Sequence, residues 1–325
     1  MTGWMTGARP TGGLHIGHYF AAFEPFVHSD DLDDSFFIVS DLHMLTTKFT
    51  PSSTKGLRRA IHRLVAEAIG FGIDPDVTTF YLQSQVQWQA RIYAILQSLA
   101  PIDSLTDQLS FADMSRTSTE IRKPTLGLLG YPILESSDVI SLRPTHVTVG
   151  EHNVGHFKLL DQMLDELQAS WGYEFPRPQV VVGRSNLVGL DGTYKMGKSS
   201  GNAIMFADTA REIADKISAI TVVGQDGVVV PVEYLRALGE SPSRCEQLEQ
   251  QLHAEPKLSL QLARELTDRL VALVEPIAER ISAVIDDVSY IEELLAAGCA
   301  QADKRGAASY QELTEVIGMP RLWQP

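Results

Sequence analysis

The chain lacks the features of several common protein classes. Only two cysteines occur among its 325 residues, Cys245 and Cys299, which argues against a disulfide-stabilised scaffold and predicts two free thiols. No apolar run is long enough to span a bilayer, and no basic-then-apolar segment resembles a secretory leader. No cluster of residues has zinc-ligand spacing. We therefore expect a cytoplasmic protein that neither crosses a membrane nor carries a structural metal ion.

Positive charge is also scarce. The chain has 27 Lys and Arg against 41 Asp and Glu, a net charge of −14 at pH 7. Non-specific binding to phosphates needs clustered basic side chains, so this composition argues against a general nucleic-acid coat protein. A local basic strip within an acidic protein can still bind RNA. The charge therefore gives no independent sign of an RNA partner.

The hydrophobic pattern divides the chain into two parts. The first two hundred residues alternate short apolar runs with amphipathic stretches, which predicts βα units around a mainly parallel sheet. The predicted strands are Phe36–Ser40, Thr79–Gln83, His146–Val149 and Val180–Val182. The predicted helices are His18–Phe26, Thr54–Ala68, Gln87–Leu99 and His156–Leu167.

From about Asp208 helical periodicity takes over, as in Leu258–Leu273 and Glu275–Ile285, with Gly239, Pro242 and Gly298 as breaks. The pattern predicts a Rossmann-like α/β nucleotide-binding domain over residues 1–207 and a mostly helical domain over residues 208–325.

The first informative segment runs from Thr6 to Tyr19 and contains four glycines ahead of an amphipathic helix. Glycine lets the backbone approach a ligand closely, and a helix N-terminus attracts phosphate. His15 and His18 are three positions apart, so we expect them on one face of the first helical turn, where they can donate to phosphoryl oxygens. The alternative is a glycine-rich turn with two histidines that only cap and pack.

The second segment, Gly189–Asn202, is polar and glycine-rich and carries two lysines, Lys195 and Lys198. Such a loop can move over a triphosphate and place its ammonium groups against the leaving pyrophosphate. The alternative is an ordinary solvated surface loop. No Walker A pattern occurs, which excludes a standard P-loop.

Together the two segments resemble those of a known enzyme family. His15-Ile16-Gly17-His18 is similar to the HIGH motif of class I aminoacyl-tRNA synthetases, and Lys195-Met196-Gly197-Lys198-Ser199 resembles their KMSKS loop. The longer match from Pro10 to Tyr19 narrows the resemblance to the tryptophanyl/tyrosyl branch. The flanks Gly189–Gly192 and Gly201–Ile204 look tryptophanyl.

The resemblance implies activation of tryptophan by ATP and transfer of the aminoacyl group to tRNA(Trp), with Mg²⁺ bound to the ATP and a homodimer as the assembly. By similarity His15, His18, Lys195 and Lys198 are the catalytic residues. The residues implied in ATP binding are Arg9, Pro10, Thr11, Gly17, His18, Gly150, Glu151, His152, Lys195, Met196, Gly197, Lys198 and Ser199. The helical region would bind the anticodon.

The amino-acid pocket is implied in the same way. Asp138 takes the place of the carboxylate that accepts a hydrogen bond from the indole N–H, which is donor-only, or from a phenol in tyrosyl relatives. Tyr131 matches a residue near the substrate α-amino group. The implied pocket residues are Met5, Gly7, His43, Tyr131, Glu135, Asp138, Val147, Val149 and Asn153.

Several positions depart from the family pattern. Gly197 replaces a serine, His152 an aspartate that contacts the ribose, and Asn153 a longer amide. Glu135 replaces an apolar or amide side chain, and a buried carboxylate must point outward, find a donor or change what fits. The segment Ile102–Met114, usually basic, has three aspartates and no Lys or Arg, although Arg116, Arg122 and Lys123 follow.

These departures leave alternatives open. The chain could keep the adenylate chemistry but serve tyrosine, a tryptophan analogue or another acceptor, as a divergent second copy. It could instead be a non-catalytic binding protein, although such a protein has no need of pyrophosphate contacts. A small nucleotidyltransferase would share the His-x-Gly-His element but would not need Tyr131, Asp138 and Val149.

Overall fold

The computed structural model describes residues 2–30, 32–108, 124–183, 187–193 and 196–319, and for Thr2, His152 and Ser199 the backbone alone. Its centre is a five-stranded parallel sheet in the order β3-β2-β1-β4-β5. The strands are β1 Thr2–Ala8, β2 Ser35–Val39, β3 Thr78–Leu82, β4 Pro144–Val149 and β5 Gln179–Val182. The α/β prediction is confirmed, and the four predicted strands lie within two residues of their observed bounds.

The central strand β1 was not among the predicted strands. Its sequence, TGWMTGA, has no clean alternation, because two of its seven residues are glycines. At Gly7 a Cβ atom would lie 2.5 Å from the carbonyl oxygen of Ile38, on the neighbouring strand. Close backbone approach, rather than an apolar side chain, therefore defines this position.

Helices cover both faces of the sheet, as a parallel sheet requires. The helices in chain order are α1 Ile16–His18, α2 Glu24–Val27, α3 Asp41–Leu45, α4 Pro51–Lys55, α5 Leu57–Gly70, α6 Gln87–Leu96, α7 Ile102–Thr106, α8 Leu126–Leu142, α9 Val154–Trp171, α10 Ala210–Ser218, α11 Val230–Ala237, α12 Pro242–Ala254, α13 Leu260–Val284 and α14 Val288–Val316. A π-helical turn, Tyr19–Phe23, joins α1 to α2. One apolar core includes residues of α5 and α10–α13, and the other includes residues of α6, α8 and α9.

One expectation for the helical part was wrong, the break at Gly298. The helical character of Leu258–Leu273 and Glu275–Ile285 is confirmed, and both stretches belong to one helix, α13, which continues through Pro276. Buried Leu270, Val274 and Ile277 keep one apolar face in register across the proline. Gly298 does not break a helix but lies inside α14, where a Cβ atom would come within 1.8 Å of the carbonyl oxygen of Phe80. Gly298 therefore allows α14 to pack closely on β3 and does not mark a helix end.

The C-terminal helices pack onto the N-terminal half. Helix α14 lies against β3, α6 and α8, and α13 packs against α5. Both apolar cores include residues from both sides of Ala207. The division into residues 1–207 and 208–325 stays a prediction. Both cysteines are free thiols, and none of the described helices has the length and apolar character needed to cross a bilayer.

Candidate active site

The two histidines of the first motif stand at the start of α1. His15 is the N-cap residue, its backbone N–H donates to Nδ1 of His18 at 3.2 Å, and the two ring centroids are 3.7 Å apart. His15 is buried, Nδ1 of its ring has no hydrogen-bond partner, and burial lowers its pKa to about 4. His18 is exposed. The site therefore presents one neutral buried imidazole beside one that solvent can reach.

The loop before His15 is held by a residue that the sequence did not single out. The Glu67 carboxylate, on α5, accepts the backbone N–H of Leu14 on both oxygens at 3.2 Å and Nε of Arg63 at 2.9 Å. Glu67 is 1% exposed, and its burial raises the pKa of that carboxyl. In the sequence, Glu67 could be recognised only as an acidic residue in an amphipathic helix. Nothing in its position along the chain connects it to Leu14.

The second segment, Gly189–Asn202, named here the lysine loop, lies directly against the first motif. A Cβ atom at Gly12 would be 3.3 Å from Nζ of Lys198, and one at Gly17 would be 3.3 Å from Sδ of the buried Met196. The backbone N–H of Ile16 donates to the carbonyl of Ile204 at 3.0 Å, just after the loop. The two motifs, about 180 positions apart in the chain, thus meet in one site. Tyr194 and Lys195 lie outside the described residues, as does the Ser199 side chain.

The buried amide of Asn202 shapes the lysine loop. Its oxygen accepts the N–H of Gly197 at 2.8 Å, and its nitrogen donates to Asp191 at 2.9 Å and to Thr193 at 3.1 Å. Gly197 itself has extended backbone angles, and a Cβ atom there would meet only Oγ of Ser200, at 3.6 Å. A serine would fit at this position, so the departure at Gly197 changes the side chain and not the loop conformation.

Three residues of the predicted pocket share one face of α8. Tyr131, Glu135 and Asp138 are spaced four and three positions apart, which aligns them on a helix. Asp138 is 3% exposed and contacts Nε2 of His43 at 3.2 Å. Nε2 of Gln83 donates to both Asp138 oxygens, at 2.9 and 2.8 Å. Burial raises the pKa of Asp138, while His43 and Gln83 oppose the rise.

The Glu135 carboxylate has a hydrogen-bonding partner on the neighbouring helix. Nδ1 of His156, in the first turn of α9, lies 2.6 Å from Oε2 of Glu135. Nε2 of the same ring lies 2.8 Å from the Tyr131 hydroxyl. His156 is 1% exposed and was missed by the sequence analysis, where it appeared only as the start of a predicted helix.

Three further residues of the predicted pocket lie on strands β1 and β4. Met5 on β1 is paired in register with Val147 on β4, and both are buried, as is Val149. Arg9, beyond the end of β1, is exposed and donates to Oγ1 of Thr47 at 3.2 Å. Ligands of open parallel sheets bind at the carboxyl ends of the strands, where these residues lie.

The remaining implied residues lie near the same edge of the sheet. Buried Pro10 and exposed Thr11 follow Arg9, and Gly150 leads from β4 into the 3₁₀ turn Glu151–Asn153 at the start of α9. The side chain of His152 is outside the described residues, as are Arg116, Arg122 and Lys123.

The arrangement suits two ligands side by side. Lys198 and the two histidines lie around a glycine-lined space fit for phosphates, while Asp138 and Tyr131 can offer acceptors to a neighbouring ligand. Arg9 supplies a cation near that pocket, because its guanidinium interacts with Tyr131 and Glu135. Such a site can bring a carboxylate of one ligand to a phosphate of the other.

Comparisons with known proteins show which family the chain resembles. A family model described as class I tRNA synthetases (W and Y) matches residues 2–282. The tryptophan–tRNA ligase of Porphyromonas gingivalis is 30% identical over 326 residues, covering 97% of this chain and 98% of the relative. That of Treponema pallidum is 29% identical over 325 residues, covering 97% and 96%.

Solved structures share the fold. The tryptophanyl-tRNA synthetase of Mycoplasma pneumoniae superposes with a TM-score of 0.81 at 22% identity, covering 98% of each chain. The Campylobacter jejuni enzyme, complexed with ADP and tryptophan, gives 0.76 at 24% identity and covers 97% of this chain and 99% of its own. The fold, the meeting of the two motifs and the match over most of the sequence agree: the chain belongs to the class I tRNA synthetases of the tryptophan and tyrosine branch.

Proposed function

We propose that the chain is a tryptophan–tRNA ligase, which forms tryptophanyl-adenylate from tryptophan and ATP and transfers the aminoacyl group to tRNA(Trp). The observation that carries the proposal is the contact between the two motifs, with Lys198 against Gly12 and Met196 against Gly17. Beside this contact we place the amino-acid pocket, with the buried carboxylate of Asp138 as its hydrogen-bond acceptor. The relatives named above carry the same activity in their names.

The phosphate side of the site acts by positioning and charge. In adenylate formation a carboxylate oxygen of the amino acid attacks the α-phosphorus, and the bond to the pyrophosphate oxygen breaks. Lys198, and by resemblance Lys195, would neutralise the charge that grows on the leaving pyrophosphate. Mg²⁺ would arrive with the ATP, since the described part of the chain gathers no group of three metal-binding side chains.

The pocket side selects the amino acid. An ionised Asp138 only accepts hydrogen bonds, and the indole N–H only donates. His43 and Gln83 hold the carboxylate in place, so it need not reorganise when the ring enters. A tyrosine phenol could also donate to Asp138, and the choice of tryptophan over tyrosine follows the named relatives. Binding of tRNA, a homodimer and an anticodon-binding domain over residues 208–325 are further parts of this proposal.

The test is pyrophosphate exchange with each standard amino acid in turn, followed by charging of total tRNA. Exchange with tryptophan alone and charging of one tRNA are expected. Exchange with tyrosine, or exchange without charging, would replace the proposal by the paralogue alternative. Lys198→Ala should lower the exchange rate far more than it weakens tryptophan binding, whereas the matched control Lys257→Ala, at an exposed position, should change neither. Equal losses of rate and binding would contradict the leaving-group role of Lys198.

A further inference from the structure

We propose that Glu135 and His156 are positioning residues that orient the Tyr131 hydroxyl toward the α-ammonium group of the substrate. The inference rests on the proposed function, because it assigns one part of the amino-acid pocket. It concerns the hydrogen-bonded row Glu135–His156–Tyr131, named here the relay. The relay joins α8 to the first turn of α9 by bonds of 2.6 and 2.8 Å.

The direction of each bond in the relay follows from Glu135. An ionised carboxylate accepts and cannot donate, so Nδ1 of His156 must carry the hydrogen that reaches it. When the imidazole is neutral, it has one donor and one acceptor nitrogen, so Nε2 accepts. The Tyr131 O–H therefore donates to Nε2. Its hydrogen is turned toward His156, and the oxygen lone pairs are turned away from that ring.

An oxygen so oriented suits an ammonium group. An ammonium has three donors and no acceptor, so it needs oxygens that do not point a hydrogen at it. Asp138, on the same helix face, already receives bonds from His43 and Gln83. Asp138 is assigned to the indole N–H, and by resemblance Tyr131 lies near the α-amino group. The relay therefore orients the Tyr131 oxygen, and Glu135 acts on the substrate through it.

Burial makes the relay a fixed arrangement. The side chain of His156 is 1% exposed and that of Glu135 is 18% exposed, so water competes little for either bond. The carboxylate also lies beside the N-terminal turn of α9, where negative charge is favoured. A glutamine in its place can turn either its N–H or its oxygen toward Nδ1. It would no longer specify which nitrogen of His156 accepts the Tyr131 hydrogen.

The test separates the amino group from the rest of the substrate. Binding of tryptamine, which keeps the amine and lacks the carboxylate, is compared with binding of indole-3-propionate, which keeps the carboxylate and lacks the amine. In Glu135→Gln we expect tryptamine to bind roughly tenfold more weakly, while indole-3-propionate changes by less than about twofold. KM for tryptophan should rise with kcat nearly unchanged, because the ammonium takes no part in the reaction.

A double-mutant cycle with Tyr131→Phe shows whether Glu135 acts through Tyr131. When Tyr131→Phe is already present, adding Glu135→Gln should weaken tryptamine no further. Additive losses would mean that Glu135 attracts the ammonium directly and would overturn the relay. Equal weakening of both ligands would overturn it as well. The exposed control Glu174→Gln should leave both ligands unaffected.

The two proposals can fail separately. Absence of amino-acid-dependent exchange in the unmodified chain would reject the proposed function. The binding measurements need no catalysis and would still decide the relay. An unmodified chain that binds indole-3-propionate as tightly as tryptophan would reject the relay even if exchange occurs, because the amine would then contribute nothing.

Discussion

Removing the Glu67 carboxylate should loosen the loop that carries His15. In Glu67→Ala the buried N–H of Leu14 loses its acceptor, which costs about 1–3 kcal/mol. One buried methylene group is lost as well, at about 0.8 kcal/mol. The expected fall in the free energy of unfolding is therefore about 2–4 kcal/mol. Because Leu14 immediately precedes His15, KM for ATP should rise too.

Glu67→Gln is the matched control. The amide keeps an acceptor for Leu14 and removes a charge whose burial is unfavourable, as the raised pKa of Glu67 indicates. It gives up the charge attraction of Arg63, which is partly exposed. These effects oppose one another, so the change should stay within about 1 kcal/mol. Urea denaturation of both variants measures the difference, and equal stabilities would refute the role given to the Leu14 bond.

Three other outcomes are expected. The pKa of His15 is about 4 in the folded chain against 6.5 ordinarily, so protonation of this residue favours unfolding. The free energy of unfolding should therefore fall by about 2 kcal/mol from pH 7 to pH 5. A fall of the same size in His15→Asn would exclude His15 as the cause. Asn202→Ala should slow pyrophosphate exchange, because the Gly197 N–H loses its acceptor. Gly197→Ser should fold and react normally, because a Cβ atom fits there. A slower exchange in Gly197→Ser than in Asn202→Ala would contradict the loop geometry. Gly298→Ala should cost more than about 3 kcal/mol in thermal unfolding, and a neutral result would contradict the contact with Phe80.

The parts of the fold that are local in sequence could be predicted. Four strands follow from apolar runs, and the two motifs that meet in the site are recognisable as segments. The strand β1 could not be predicted in this way, because Gly7 adds no apolar side chain to the pattern. Its role is to let the neighbouring strand approach closely, which the sequence does not show. Gly298 misled the prediction, because it allows close contact between α14 and β3 and does not end a helix.

The parts of the site that depend on distant contacts could not be predicted. Asp138 was expected in the pocket, but its partner Gln83 follows a different strand and carries no motif. The need of Glu135 for a donor was foreseen, whereas its partner His156 was not, since nothing in the spacing of the two residues brings α8 and α9 together. Glu67 is similar: burial and charge identify such a residue only after the chain has folded.

The contact of α14 with β3 bears on how the protein is made. β3 is an edge strand of the sheet, and Sγ of Cys299 accepts the N–H of Leu82 from that edge at 3.4 Å. An uncovered edge strand invites pairing with other chains. During synthesis this edge therefore stays open until α14, which begins more than two hundred residues after β3, has left the ribosome. Truncation before α14 should leave a sheet that aggregates, although every strand and both motifs would be present.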